Sequence, residues 1–61
     1  MNEKEIKVLN ELKENEYLST NEISKKTGIN WYKVDYLLYI LEKNDKVQKL
    51  ELTSGNYWRK K

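Results

Sequence analysis

The segment 18–41 carries start and stop signals for two helices in quick succession. Ser19 and Glu22 have the spacing of a capping box, in which each side chain bonds the backbone N–H of the other residue, so a short helix is predicted here. Gly28 follows where a left-handed residue would end that helix. Asn30 can then cap a longer helix. Two helices separated by so short a turn must cross each other, which limits the chain to few folds.

Helical periodicity gives both of these helices an inner and an outer face. The shorter helix is predicted to run to about Thr27, turning only Ile23 and the methyl group of Thr27 inward. The longer helix is predicted from about Trp31 to Asn44. Its apolar residues recur at close to 100° per residue and form one seam, which consists of Val34, Leu37, Leu38 and Leu41.

A further helix is predicted before this pair, from about Glu3 to Asn15. Asn2 can cap it, and Glu5 lies three residues on, as in a capping box. Most of its charged residues lie off the apolar face that we expect to be buried, which is formed by Ile6, Val8, Leu9 and Leu12.

The C-terminal part of the chain has the pattern of a β-ribbon. Two β-like segments, 46–52 and 56–60, flank a tight turn at Ser54-Gly55. The spacing from Val47 to Leu50 breaks strict alternation, so we expect a bulge or a twisted entry into the first strand.

Residues Tyr17 and Leu18 could pair with this ribbon as a minimal third strand. The predicted fold class is therefore α+β, mainly α, with three helices followed by a two- to three-stranded ribbon, in a single domain over residues 1–61.

Composition narrows the chemistry that this chain can perform. It has no cysteine, no histidine and no glycine-rich phosphate loop, so we expect no disulfide, no metal site, no cofactor and no enzymatic activity. Residues 1–30 hold five lysines and six glutamates, a net charge of −1, whereas residues 31–61 hold seven basic and four acidic residues, a net charge of +3. Positive charge thus collects in the half that would meet a polyanion.

The run Ser19–Asn30, followed by Val34, Leu38 and the run Leu41–Val47, resembles the helix-turn-helix core of small archaeal and bacterial winged-helix regulators. The ending Asn56-Tyr-Trp-Arg59 is similar to the aromatic-then-basic close of the wing in many archaeal members. This resemblance implies a winged helix-turn-helix that binds double-stranded DNA, as a small transcription regulator or a chromatin-type protein.

One departure from that family lies before the wing. Members usually carry a glycine there, where this chain has Asn44-Asp45. We expect Asn44 to take the left-handed conformation instead, because asparagine tolerates it.

The outer face of the third helix supplies most candidate DNA contacts. Its tyrosines and one lysine recur opposite the apolar seam, at Tyr32, Tyr36, Tyr39 and Lys43. Asn30 and Lys33 are the better candidates for base contacts, since the N-terminal end of a recognition helix enters the groove deepest. The helix has no arginine, so we expect modest sequence selectivity. Asp35, on its flank, would repel a phosphate.

Other candidates lie on the second helix and in the ribbon. Lys25 and Lys26, together with Thr20 and Asn21, could hold the phosphate backbone while the third helix reads bases.

In the ribbon we expect phosphate contacts from a cluster of basic residues, with Arg59 fixed by its neighbour Trp58. The cluster is Lys46, Lys49, Arg59, Lys60 and Lys61, of which the last two could instead be a frayed end. Both Trp31 and Trp58 are predicted to pack in the core.

Alternative interpretations remain open at this point. The Tyr32, Tyr36 and Tyr39 face could dock a protein partner instead of DNA, because tyrosine is enriched in protein interfaces. Single lysines could equally be a solvated surface, and an RNA-binding ribbon is a third reading. The small core suggests a homodimer. No apolar run reaches membrane-spanning length and no signal peptide is visible, so we expect a cytoplasmic protein.

Overall fold

Three helices and a three-stranded antiparallel sheet make up the computed structural model, which describes residues 1–61. The elements follow the predicted order. They are α1 (Glu3–Glu11), β1 (Leu18–Ser19), α2 (Thr20–Thr27), α3 (Trp31–Lys43), β2 (Val47–Leu52) and β3 (Gly55–Lys60). This arrangement confirms the predicted α+β class and the winged helix-turn-helix architecture, with β2 and β3 as the wing.

Local signals fix the helix-turn-helix as predicted. The backbone N–H of Glu22 donates to the Ser19 hydroxyl at 3.1 Å, and the backbone N–H of Ser19 donates to the Glu22 carboxylate at 3.1 Å, which completes the capping box of α2. Gly28 ends α2 in the left-handed region, at φ 75°. The side-chain oxygen of Asn30 accepts a bond of 3.0 Å from the Lys33 backbone N–H and caps α3.

Helix α1 ends earlier than predicted, at Glu11 and not near Asn15. Leu12 already has an extended backbone and turns its side chain into the core. Beyond it, the carbonyl oxygen of Lys13 accepts a 2.8 Å bond from the backbone N–H of Lys60. This pairing with β3 needs an extended chain, so it overrides the local preference for helix.

The core is a single cluster of ten buried residues to which every helix and strand contributes. Helix α3 supplies four of them, and the complete set is Val8, Leu12, Leu18, Ile23, Val34, Leu37, Leu38, Leu41, Val47 and Trp58. The apolar seam predicted for α3 is therefore confirmed. The prediction for α1 was partly wrong, since Ile6 is exposed and Leu9 is only half-buried. Val8 and Leu12, one turn apart, face the core, whereas Ile6 is two residues before Val8 and so lies on nearly the opposite side of the helix.

The sheet has the strand order β1-β3-β2, so the minimal strand β1 pairs with β3, the second strand of the wing. Residues pair one to one from Val47 with Lys60 to Leu52 with Gly55, and the predicted bulge is absent. Regular alternation turns Val47 into the core and leaves Leu50 and Leu52 on the outer face of the ribbon, at the surface. Val47 and Leu50 are three residues apart because they lie on opposite faces of β2, and no bulge residue is inserted between them.

The left-handed residue before the wing is Asp45, at φ 62°, and not Asn44. Asn44 keeps a near-helical backbone at φ −90° and ψ 10° and ends α3 as its C-cap. The reversal therefore comes one residue later than predicted. Aspartate at this position is held in the less favourable backbone region that glycine would adopt without strain.

Candidate nucleic-acid interface

The outer face of α3 is a continuous exposed surface of aromatic side chains. Because the four buried residues of α3 occupy the inner side, the three tyrosines point away from the core, with exposed fractions of 73% for Tyr32, 56% for Tyr36 and 52% for Tyr39. They follow one another at close to one-turn spacing. Helix α3 therefore presents the surface that the sequence pattern predicted.

Trp31 also belongs to this surface, so its predicted place in the core was wrong. Its side chain is 48% exposed and stacks on Tyr32, with ring centroids 4.2 Å apart and planes 22° apart. Trp31 lies on the same side of α3 as the buried Leu38, seven residues later, but at the first position of the helix it lines an open cleft beside the turn of the wing and is therefore not covered. Trp58, in contrast, is buried as predicted, at 2% exposed.

Lysines accompany the tyrosines along α3. The Lys33 ammonium lies 5.6 Å from the centroid of the Tyr36 ring, and the Lys43 ammonium lies 5.1 Å from that of Tyr39. Both lysines are exposed, and neither takes part in an ion pair. Asn30 uses its side-chain oxygen as the cap, which leaves its amide NH₂ group to donate outward.

Helix α2 contributes its predicted residues at opposite ends. Lys25 and Lys26 are exposed in its last turn. At its first turn, Asn21 is exposed, whereas the Thr20 hydroxyl accepts a 3.0 Å hydrogen bond from the indole N–H of Trp58. Thr20 thus anchors the wing to α2.

Arg59 lies where the wing meets the connection between α1 and β1. Its guanidinium donates to the Tyr17 hydroxyl at 3.2 Å, to the Glu14 carbonyl at 2.7 Å and to the Gln48 side-chain oxygen at 2.6 Å. It also stacks over the Tyr17 ring at 5.5 Å. These contacts fix Arg59, and Trp58 has no part in them. Two of its five N–H groups are left for a phosphate.

The remaining basic residues of the wing differ in their burial and in whether they form ion pairs. Lys49 is half-buried, with its ammonium 5.6 Å from the Trp58 ring centroid and 3.7 Å from the Glu51 carboxylate. Lys60 is half-buried within β3, and Lys61 pairs with Asp45. The alternative of a frayed end at these two residues was therefore wrong. Lys46 is exposed and unpaired.

A cleft of about 490 Å³ separates the start of α3 from the turn of the wing. Asn21 of α2 lines it together with Trp31 and Asp35 of α3 and with Asn56 and Tyr57 of β3. Asn56 and Tyr57 were noted only as part of the wing ending and were not predicted as site residues, because only the folding of the wing toward α3 brings them to this surface.

The family comparison agrees with this geometry. A family model described as FaeA-like protein matches residues 1–61. The chain belongs to the FaeA-like family. FaeA-like proteins are regulators of the helix-turn-helix type, which supports DNA binding at that general level. No curated protein and no solved structure matches the chain.

Membership of the FaeA-like family agrees with the fold but assigns no role to any residue of this surface. The DNA contacts predicted for Asn30, Tyr32, Lys33, Tyr36 and Lys43 stay predictions. The same holds for the contacts predicted on α2 and in the wing, at Lys25, Lys26, Lys49, Arg59 and Lys60. None of the three helices is long and apolar enough to cross a membrane.

Proposed function

We propose that this FaeA-like protein binds double-stranded DNA as a small transcription regulator, with α3 in the major groove and the wing along the phosphate backbone. The observation that carries the proposal is the outer face of α3. Its aromatic and lysine side chains are exposed, while the apolar residues on the opposite side of α3 are buried in the core. This packing fixes the helix with its outer face toward solvent. A helix of this kind fits the width of the major groove.

Within this proposal, phosphate contacts supply most of the affinity. Lys33 and Lys43 on α3, and Lys25 and Lys26 on α2, are exposed and form no ion pair, so they can approach phosphates without breaking a salt bridge. Lysine binds phosphate as a point charge and carries little sequence information. The tyrosines add contacts to sugars and thymine methyl groups.

The test is titration with duplex DNA at several salt concentrations. We expect affinity to fall steeply with salt, and Lys33→Ala and Lys26→Ala each to reduce the slope of log K against log[salt] by about 0.9. Lys7→Ala is the matched control, because Lys7 is an exposed lysine on α1, away from the proposed interface. A salt-independent interaction, or an equal effect of Lys7→Ala, would contradict the proposal.

A protein-docking role is the second candidate, favoured by one observation. Trp31, Tyr32, Tyr36 and Tyr39 together form an exposed aromatic strip, and such side chains often dominate protein interfaces. Under this alternative, the lysine variants leave binding to the partner unchanged and Tyr36→Ala abolishes it. Duplex DNA then competes poorly for the protein.

We also propose that the protein acts on DNA as a homodimer, since one small domain offers few contacts. Sedimentation at high micromolar concentration, with and without DNA, tests this point, and a monomer under both conditions would exclude it. The proposal gives the protein no catalytic role, because the chain has neither histidine nor cysteine to act as base or nucleophile.

A further inference from the structure

Asp35 is an unexplained charge in the proposed interface. It lies on α3 one turn after the first helical residue, on the side of the helix that faces the wing. It is the one charged residue among those that line the cleft. A regulator that approaches a polyanion with this surface brings Asp35 close to it.

The fold itself makes no use of this carboxylate. Asp35 takes part in none of the hydrogen bonds or ion pairs formed by the side chains of the chain. Its neighbours one turn away on α3 are Trp31, Tyr32, Leu38 and Tyr39, none of them cationic. Asp35 is half-buried and lines the cleft, and because the chain has no buried side-chain oxygen without a partner, its unpartnered carboxylate oxygens reach solvent.

An unneutralised carboxylate at such a position discriminates strongly between DNA groups. Against a phosphate it is repulsive, because both groups carry negative charge. Against an exocyclic amino group it accepts a charge-assisted hydrogen bond. The major groove displays two such groups, N4 of cytosine and N6 of adenine.

The surroundings of Asp35 suit the reading of a base edge. Trp31 forms a flat exposed wall, and the amide groups of Asn21 and Asn56 can each donate and accept hydrogen bonds. The first turns of a recognition helix are also those that lie deepest in the groove.

We propose that Asp35 determines base specificity by accepting a hydrogen bond from the exocyclic amino group of a cytosine or adenine in the major groove. This inference rests on the proposed DNA binding and adds selectivity to it. Lysine contacts to phosphate then provide affinity, and Asp35 adds discrimination to the modest selectivity expected of a helix without arginine.

The experiment is selection from a randomised duplex library with the native protein, Asp35→Ala and Asp35→Asn. We expect the native protein to enrich cytosine or adenine at one position and to discriminate against the other bases there by about tenfold or more. Asp35→Ala should lose this preference, binding the selected duplex more weakly and the other duplexes somewhat more tightly. Glu42→Ala is the matched control, because Glu42 is a half-buried acid on the same flank of α3, two turns further on. It should keep the preference.

A second arm separates the two bases and tests the hydrogen bond itself. In the selected duplex, the base at that position is replaced by its analogue without the amino group, pyrimidin-2-one for cytosine or purine for adenine. The native protein should lose affinity by about tenfold and Asp35→Ala should not.

Two results would overturn the inference while leaving DNA binding intact. In one, Asp35→Ala keeps the native base preference and only binds more tightly, so the carboxylate merely repels phosphate. In the other, the native protein selects no base at all. If neither the native protein nor its variants bind any duplex at low salt, the proposed function itself fails.

Discussion

At the scale of single residues, Arg59 ties three parts of the chain together, because its donors reach Glu14, Tyr17 and Gln48. We expect Arg59→Ala to lower the free energy of unfolding by about 1.5–3 kcal/mol, since charged hydrogen bonds are lost. Arg59→Lys should lose most of the same stability, because an ammonium cannot reproduce the planar fork. Urea unfolding followed by circular dichroism measures both changes.

The lysine variant separates the structural role of Arg59 from a role in phosphate binding. Because Arg59→Lys keeps the positive charge, we expect the salt dependence of DNA affinity to stay at the native value in this variant. Lys46→Ala is the stability control, since Lys46 is exposed and unpaired. If Arg59→Ala unfolds within about 0.5 kcal/mol of Lys46→Ala, the three hydrogen bonds do not support the fold.

Trp58 and Thr20 form the hydrogen bond that joins the buried part of the wing to α2. A double-mutant cycle with Trp58→Phe and Thr20→Val should show a coupling of about 1 kcal/mol in the free energy of unfolding, because each substitution removes the same bond. Trp31→Phe is the control, as Trp31 is half-exposed and makes no such bond. Additive losses from the two single variants would show that the bond contributes nothing.

At the scale of elements, the sequence predicted what local interactions decide. Helix α2, the turn and the buried seam of α3 are determined by capping residues and helical spacing, which involve residues only a few positions apart in the sequence. The end of α1 was not predictable in this way, because it depends on a bond between Lys13 and Lys60. The cleft also escaped prediction, since Asp35 and Asn56 meet there only once the wing has folded against α3. Patterns in the local sequence therefore predicted the outer face of α3 but not the cleft beside it.

The junction between α3 and the wing holds backbone strain at Asp45, at φ 62°. Asp45→Gly removes this strain but also removes the exposed ion pair with Lys61, which is worth little at a surface. Asp45→Ala removes the same ion pair and keeps a Cβ atom. We expect Asp45→Gly to be more stable than Asp45→Ala by about 0.5–1 kcal/mol, measured by thermal unfolding. Equal stability would mean that the backbone is relaxed at this residue.

At the scale of the whole molecule, ten buried residues carry the stability of the fold, and α3 supplies four of them, more than any other element. A chain of 61 residues has a free energy of unfolding of about 3–9 kcal/mol. The position of the outer face of α3 therefore depends on a fold whose free energy of unfolding is small. A change on the buried side of α3 should act on DNA binding without touching the surface itself.

Leu38→Ala tests this dependence. Leu38 is fully buried, so its truncation should cost about 2–5 kcal/mol, which is a large part of the total. We expect this variant to be partly unfolded at 37 °C and to lose DNA affinity in proportion to its unfolded fraction, with both recovering on cooling. Leu52→Ala, at an exposed site of the wing, should change stability by less than about 0.5 kcal/mol. If Leu38→Ala binds DNA weakly while fully folded, the buried side of α3 affects recognition by a route other than stability.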